Sequence, residues 1–177
     1  FRIDVNGKTA EKIVKDGRNL IATDEAGNVK RYEYDEWKNL TKLVYPDGTF
    51  SRYEYERSFN RRTKETDERG IVTAYTYDTQ GNLTRKREGV GTPEERTTTY
   101  TYDGNGNLLT TTTAADARTA SSTTTMTYDA LGNVATITDA EGNETSFTYD
   151  TMGNVLTKRD GRNRTWRYTY NNTGKLL

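Results

Sequence analysis

The sequence predicts an all-β protein built from tandem antiparallel β-hairpins of about 21 residues each. Tyrosines recur at nearly constant intervals, and two turn signals alternate with two strand signals in each interval. The tyrosines are Tyr34, Tyr55, Tyr77, Tyr102, Tyr128, Tyr149 and Tyr170, at intervals of 21, 22, 25, 26, 21 and 21 residues. A period this short does not hold a helix pair, whereas it fits two short strands with two turns.

Each tyrosine heads a motif of the form Tyr-Asp-x-x-Gly-Asn-Leu/Val. The complete copies are Tyr77, Asp78, Gly81 and Asn82; Tyr102, Asp103, Gly106 and Asn107; Tyr128, Asp129, Gly132 and Asn133; and Tyr149, Asp150, Gly153 and Asn154. The degenerate copies are Tyr34 and Asp35 with Lys38 in place of glycine, Tyr55 and Glu56 with Asn60, and Tyr170 and Asn171 with Gly174. Residues 16–20 resemble an eighth copy that is one residue shorter.

The residues around each motif explain why the unit is a hairpin. In Tyr75-Thr76-Tyr77 and its equivalents, alternation places two large side chains on one face of a strand. We expect these rings to stack as ladders between neighbouring hairpins. The Asp and Gly that follow are turn residues, because a carboxylate accepts from nearby backbone N–H groups and glycine tolerates positive φ. A return strand such as 134–138 and a second turn, such as the one at Asp160-Gly161, complete the repeat.

Two segments depart from the regular pattern. Where the interval lengthens to 25 and 26 residues, insertions at 89–93 and 114–122 replace the second turn, and we expect them to project from one edge of the sheet. Threonine runs beside these insertions favour long strands, because β-branched residues prefer the pleated conformation. Only residues 10–15 could begin a helix, and a short one.

The composition predicts a wall rather than a compact core. Hydrophobic residues make up 31% of the chain and the mean hydropathy is −1.02. This supply is too small for a conventional two-layer core, so we expect a sheet whose second face is solvated or lines a large cavity. The net charge is zero, which predicts no broad attraction to nucleic acid or membranes. The basic end of the chain, residues 158–175, is interpreted as a solvated face, with an anionic partner at residues 162–167 as the alternative.

The sequence predicts neither an enzyme nor a cofactor or metal site. The chain has no histidine and no cysteine, so the usual general base, the serine-triad relay and thiolate metal sites are excluded. Its aspartates recur in every repeat at turn positions, which favours a structural role over glycosidase carboxylates or calcium ligands. Exposed tyrosine rows that stack on sugar rings are an alternative to tyrosines that face their neighbours within the sheet.

The motif and its period resemble the YD repeats of the Rhs family, which includes bacterial polymorphic toxins, toxin-complex shells and teneurins. The resemblance implies a continuous spiralling antiparallel sheet that forms part of a hollow shell around a toxin. The family's aspartyl autoprotease cuts at an Asp-Pro signal. The two prolines of this chain, Pro46 and Pro93, do not follow aspartate, so we expect no cleavage function here.

We therefore expect residues 1–177 to form a single array of seven to eight hairpins cut from a longer chain that begins before Phe1. The resemblance implies a non-catalytic segment of a shell around a toxin or cargo domain. Its partners would be flanking YD repeats and the enclosed domain, and its location secreted or at the cell surface of a bacterium. Alternatives are a module that binds carbohydrate or a surface receptor, and a self-assembling extracellular fibre unit. No nucleic acid and no membrane span are expected.

Overall fold

The computed structural model of the chain describes residues 4–5, 8–116 and 119–177. Its secondary structure is entirely β within these residues. The strands are β1 (Asp4–Val5), β2 (Lys8–Asp16), β3 (Asn19–Asp24), β4 (Val29–Tyr34), β5 (Leu40–Val44), β6 (Phe50–Tyr55), β7 (Arg62–Thr66), β8 (Val72–Tyr77), β9 (Leu83–Glu88), β10 (Arg96–Tyr102), β11 (Leu108–Thr113), β12 (Ser122–Tyr128), β13 (Val134–Thr138), β14 (Glu144–Tyr149), β15 (Val155–Arg159) and β16 (Thr165–Arg167). The prediction of an all-β fold built from antiparallel hairpins is confirmed.

The chain divides into two compact units. The first comprises Phe1–Thr76 and Arg87–Glu95, and the second comprises Tyr77–Lys86 and Arg96–Leu177. In the first unit each strand from β1 to β8 pairs antiparallel with the next strand along the chain. The strands from β10 to β16 do the same in the second unit. Sequential hairpins therefore build the sheet of each unit with no crossover.

Turns of two kinds alternate along each unit. The motif turns follow the tyrosines and all lie at the same end of the strands. We call this side of the sheet the YD edge. The turns that lead into the next tyrosine-bearing strand lie at the opposite edge, which we call the return edge. At the return edge the turn after β13 runs from Asp139 to Asn143, where Asp139 N–H donates to the Asn143 carbonyl over 3.0 Å. Both insertions connect strands at this edge, although residues 117 and 118 lie outside the described residues.

Each motif hairpin of known register contains a β-bulge beside its tyrosine. In the hairpin of β12 and β13, Thr127 lies opposite Thr136 and Tyr128 lies opposite Val134, so Ala135 has no partner. The same shift occurs at Tyr34, Tyr55, Tyr102 and Tyr149. A bulge inserts one residue in one strand and increases the local twist.

The tyrosine face of the sheet is the more shielded one. In β10 the side chains of Thr98, Tyr100 and Tyr102 are buried or half-buried, whereas those of Thr99 and Thr101 are exposed. No large side chain in the described part of the chain is fully buried. Each unit therefore has a half-covered face of rings and small residues instead of a closed core.

The amino-terminal region is a strand at the one place where the sequence left room for a short helix. Residues 10–15 lie within β2, which pairs with β3 from Ala10 opposite Asp24 to Asp16 opposite Asn19. A two-residue turn connects these strands, and Gly17 there has φ of 59°. No helix begins here, because pairing with β3 satisfies the backbone of a segment whose local helical preference is weak. Residues 16–20 thus form a tight hairpin turn between β2 and β3.

Candidate functional site

The element that recurs along this chain is the turn at the YD edge. In the turn that starts at Asp103, Gly106 N–H donates to the Asp103 carbonyl over 3.1 Å, and Asp103 N–H donates to the Asn107 carbonyl over 3.0 Å. Gly106 has φ of 84°, in the left-handed region that glycine enters without steric cost. The turns at Asp78, Asp129 and Asp150 have the same hydrogen bonds, with their glycines at φ of 83° to 84°.

The aspartate carboxylate closes this turn from the side. Asp103 Oδ1 accepts from the backbone N–H of Asn105 over 2.9 Å and of Asn107 over 2.8 Å, while Oδ2 accepts from Asn107 Nδ2 over 2.9 Å. One side chain thereby satisfies three donors, which fixes both the loop and the motif asparagine. This pattern explains why aspartate and asparagine recur four residues apart.

These hydrogen bonds also lower the pKa of the turn aspartates. The side-chain amide of Asn107 and the backbone N–H groups of the loop hold the pKa of Asp103 below its usual value. The pKa values of Asp129, Asp139 and Asp150 are lowered for the same reasons. Hydrogen bonds to the charged form favour ionisation, so each carboxylate binds its loop as an anion.

The degenerate copies keep this geometry with other residues. Lys38 and Asn60 take the left-handed position, with φ of 69° and 55°. The turn at Glu56 is one residue longer, since Glu56 N–H donates to the Arg61 carbonyl. The Glu56 carboxylate accepts from the backbone N–H groups of Ser58, Phe59 and Arg61 over 2.6 to 3.1 Å. The longer side chain thus matches the longer loop.

The last motif contains an uncharged version of the same turn. Asn171 Oδ1 accepts from the backbone N–H of Thr173 over 3.0 Å and of Lys175 over 2.9 Å. Gly174 again has positive φ, at 76°. An amide oxygen therefore replaces the carboxylate in closing the loop.

In five of the repeats, the tyrosine hydroxyl connects the repeat to the one before it. Tyr149 Oη donates to the carbonyl of Val134 over 2.8 Å, and Val134 is the first residue of the preceding return strand. The equivalent hydrogen bonds run from Tyr55 to Leu40, Tyr102 to Leu83, Tyr128 to Leu108 and Tyr170 to Val155, over 2.8 to 3.0 Å. The contact that recurs between neighbouring hairpins is therefore a hydrogen bond from the tyrosine hydroxyl. The ring pair of Phe147 and Tyr149, with centroids 6.5 Å apart, lies within a single repeat.

Motif asparagines give a second connection between repeats. Asn39 Nδ2 donates to Asn60 Oδ1 over 2.6 Å, and Asn60 Nδ2 donates to Asn39 Oδ1 over 2.9 Å. In later repeats glycine replaces Asn60, and a Cβ atom added to Gly153 would lie 3.7 Å from Asn133 Oδ1. Sequence analysis missed this pairing and the carbonyl acceptors. The signal for the asparagine pair was Asn60 itself, which stands at the motif position that glycine usually occupies.

At the return edge, one predicted turn uses a different residue from the expected one. Asn163 N–H donates to the Asp160 carbonyl over 2.9 Å, and Asn163 takes the left-handed backbone with φ of 62°. Gly161 instead approaches its neighbour closely, since an added Cβ would lie 2.8 Å from Asn143 Cβ. The turn forms where the sequence predicted it, and its glycine serves close packing.

The turns and hydrogen bonds described above recur from repeat to repeat, so none of them stands out as a single site. Within the described ranges, no group of three His, Cys, Asp or Glu side chains is arranged to hold a metal ion. In the same part of the chain, no helix is long and apolar enough to cross a membrane.

Comparison with known proteins agrees with the repeat geometry. The family described as RHS Repeat matches residues 15–49, 58–93, 117–144 and 128–164, which together are more than half of the chain.

The chain belongs to the RHS repeat family.

Its RHS repeats are similar to segments of several solved structures. A crystal structure of TcdB2-TccC3 matches 97% of this chain with 16% identity and a TM-score of 0.39. A Photorhabdus luminescens Tc holotoxin pore matches 97% with 17% identity and a TM-score of 0.39. The chain covers 13% of the length of each of these proteins. No curated protein sequence matches the chain significantly.

Proposed function

We propose that this chain is a non-catalytic wall segment of an RHS-repeat protein, whose β-sheet shell encloses a toxin or cargo domain of the same polypeptide. The observation that carries the proposal is the hydroxyl link between hairpins. Five of the seven motif tyrosines, Tyr55, Tyr102, Tyr128, Tyr149 and Tyr170, donate to a backbone carbonyl of the preceding repeat. Because this acceptor is a backbone atom, every hairpin offers the same docking point to the next. Hairpins joined by this hydrogen bond can extend the sheet one after another without a buried core of apolar side chains.

The distribution of polar groups supports a wall with two different faces. In the second unit, the face opposite the tyrosines carries threonine pairs such as Thr127 and Thr136, whose hydroxyls lie 2.7 Å apart. In the first unit, the same face carries ion pairs such as Lys64 with Glu54 at 3.2 Å. Both kinds of pair satisfy polar groups within the sheet. A wall of this kind acts sterically, by separating a cargo domain from its surroundings until release.

The partners and location in this proposal follow from the family. Flanking YD repeats would pair with the outer strands, since unpaired strand edges bind further strands. The whole protein would be secreted or displayed at a bacterial surface.

The test is an image of the longest natural protein that contains this segment, combined with limited proteolysis. We expect a closed hollow particle with internal density, in which the cargo domain resists protease. The same protein with Tyr149→Phe, Tyr128→Phe and Tyr170→Phe tests the link, and we expect its cargo to become accessible. An open strip with digestible cargo would contradict enclosure. An elongated filament would favour the fibre alternative, and binding of a surface receptor by an open form would favour the adhesion alternative.

A further inference from the structure

Large apolar side chains lie at the tips of the YD-edge turns. We call the residue immediately before the left-handed position of a turn its tip residue. In the seven motif turns the tip residues are Trp37, Phe59, Gln80, Asn105, Leu131, Met152 and Thr173. Two consecutive repeats in each unit have a large apolar tip residue. These side chains are exposed to 53% in Trp37, 45% in Phe59, 73% in Leu131 and 70% in Met152.

The return edge has turns of the same form with different tip residues. In its five regular turns they are Ala26, Asp47, Arg69, Glu141 and Arg162. The left-handed residue of each of these turns donates its N–H to the carbonyl three residues earlier, over 2.9 to 3.1 Å, as in the motif turns. The turn geometry therefore accepts charged tip residues, and the fold does not require the apolar ones of the YD edge.

The two apolar tips of each unit are neighbours. In the turns of Trp37 and Phe59, the side chains of Asn39 and Asn60 exchange hydrogen bonds of 2.6 and 2.9 Å. The turns of Leu131 and Met152 are close in the same way, since an added Cβ on the glycine after Met152 would lie 3.7 Å from an asparagine oxygen of the preceding turn. Consecutive hairpins are two strand spacings apart, about 10 Å. Each unit thus presents two adjacent apolar tips on one edge.

The backbone N–H of each apolar tip is hydrogen-bonded within its own turn. The N–H groups of Trp37, Leu131 and Met152 each donate to the motif aspartate of their turn over 2.9 Å. Phe59 N–H donates to both carboxylate oxygens of Glu56, over 2.9 and 3.1 Å. An N–H group that leaves water without a partner costs free energy. These tips avoid that cost, so they can enter an apolar phase with the donor satisfied.

Arginines accompany the two aromatic tips. The guanidinium of Arg57 lies 5.2 Å from the centroid of the Trp37 ring, and that of Arg61 lies 5.6 Å from the centroid of the Phe59 ring. An aromatic ring beside a cation suits the boundary of a lipid bilayer, because the ring enters the apolar layer while the cation meets the headgroup phosphates. In the second unit the tips are uncharged, as Ala130-Leu131 and Thr151-Met152.

We propose that the YD edge binds the surface of a lipid bilayer and inserts its apolar tips into the interfacial layer. Two large side chains in each unit are far fewer than the about 20–30 residues that each partner contributes to a stable protein interface. A bilayer accepts isolated apolar side chains, and binding strengthens with the apolar area that they bury. The chain has no net charge to attract a membrane from a distance, so binding rests on the tips. This inference goes beyond enclosure and does not depend on it.

The test uses the full 177-residue chain with Trp166→Phe, which leaves Trp37 as the only tryptophan. Vesicles of phosphatidylcholine and phosphatidylglycerol in equal parts should shift the Trp37 emission to shorter wavelengths, because the ring leaves water. Vesicles whose acyl chains carry bromine should quench this emission. An unchanged emission, together with protein that stays in the supernatant when the vesicles are sedimented, would overturn the proposal.

Matched variants of this chain locate the site. Leu131→Gln with Met152→Gln should weaken vesicle binding at least about tenfold, because two large apolar side chains no longer enter the bilayer. Glutamine is already the tip residue at Gln80, so the turn tolerates the change. Arg69→Gln with Glu141→Gln makes the same change at two return-edge tips, keeps the net charge at zero and should leave the affinity unchanged. Circular dichroism checks that both variants fold. Equal affinity of the two double variants would contradict the proposal.

A second copy of the chain is the competing occupant of the apolar tips. Sedimentation velocity without lipid distinguishes the two, and we expect a single species at all protein concentrations. Association that grows with concentration and is lost in the variant with Leu131→Gln and Met152→Gln would assign the tips to a second copy. That result would overturn the lipid proposal.

Discussion

One side-chain oxygen and one left-handed residue close each described turn of the YD edge; the oxygen belongs to a carboxylate except at Asn171, where it belongs to an amide. Turn chemistry made the roles of aspartate and glycine predictable from the sequence, because few residues suit those positions. The sequence did not predict that the Glu56 carboxylate closes a loop one residue longer. In this copy both the loop length and the acidic side chain that closes the loop differ from the other copies. Nor did it predict that Asn163 replaces Gly161 in the left-handed position.

A β-branched side chain at a motif glycine should destabilise the fold. Gly106→Val forces a branched residue to φ of 84°, at an expected cost of about 1–3 kcal/mol. Gly104→Val is the control, because Gly104 lies in the same turn without positive φ and an added Cβ meets nothing within 4 Å. Denaturant unfolding of both variants measures the difference. Equal stability of the two variants would refute the turn assignment, as would unchanged melting temperatures in Gly106→Val, Gly132→Val and Gly153→Val.

Asparagine should be the best replacement for glycine where a neighbouring asparagine faces it. Gly153→Asn places an amide near Asn133 Oδ1, as Asn60 is placed near Asn39, and asparagine tolerates the left-handed region. Gly132→Asn has the same backbone demand, but an added Cβ there meets nothing within 4 Å. We expect Gly153→Asn to melt at the higher temperature of the two. The reverse order would show that the amide pair contributes no stability.

At the scale of the strand and hairpin, the alternation of residue types predicted where the strands lie, whereas the register between strands could not be predicted. Alternating rings and threonines predicted the strands before each tyrosine, because a pleated strand places alternate residues on opposite faces. The bulge beside Tyr128 and the bond from its hydroxyl to Leu108 could not be predicted. Both depend on how two hairpins meet, which the pattern within one hairpin does not contain.

Removing one tyrosine hydroxyl should weaken the contact between two hairpins. Tyr149→Phe leaves the Val134 carbonyl without its 2.8 Å donor, at an expected cost of about 1 kcal/mol. Tyr100→Phe is the control, because the hydroxyl of Tyr100 makes no hydrogen bond within the described residues. Thermal unfolding should separate the two variants. If Tyr100→Phe lost as much stability as Tyr149→Phe, the rings rather than the hydroxyl bonds would hold the repeats together.

At the scale of the whole molecule, composition predicted the absence of a large buried core. The described residues contain no fully buried large side chain, in keeping with the low hydrophobic content. The division into two units was not predicted, because the repeat pattern continues through both. The repeat period therefore determines local pairing without determining how the array is partitioned.

Acid should destabilise the array through its turns. The pKa values of Asp103, Asp129 and Asp150 are lowered in the folded state, so these groups contribute stability above their unfolded pKa of about 3.9. That contribution is lost as the pH falls through the lower folded values. The melting temperature followed by circular dichroism should therefore decrease below about pH 4.

The matched variant changes the same three aspartates to asparagine. The turn at Asn171 already uses an amide oxygen, so the folded geometry is compatible with the change. Its melting temperature should depend less steeply on acid. An acid limb identical to that of the parent would show that the turn carboxylates are not the groups responsible.

The tyrosine bonds between hairpins have a consequence for how the chain folds. Their donors and acceptors are 15 to 20 residues apart in sequence. All-β proteins usually fold slowly, because strands distant in sequence must meet before they gain any contact. Here the chain needs only the hairpin just completed as a template. Each hairpin can therefore fold as soon as it leaves the ribosome, and a long array can be assembled during synthesis without waiting for its end.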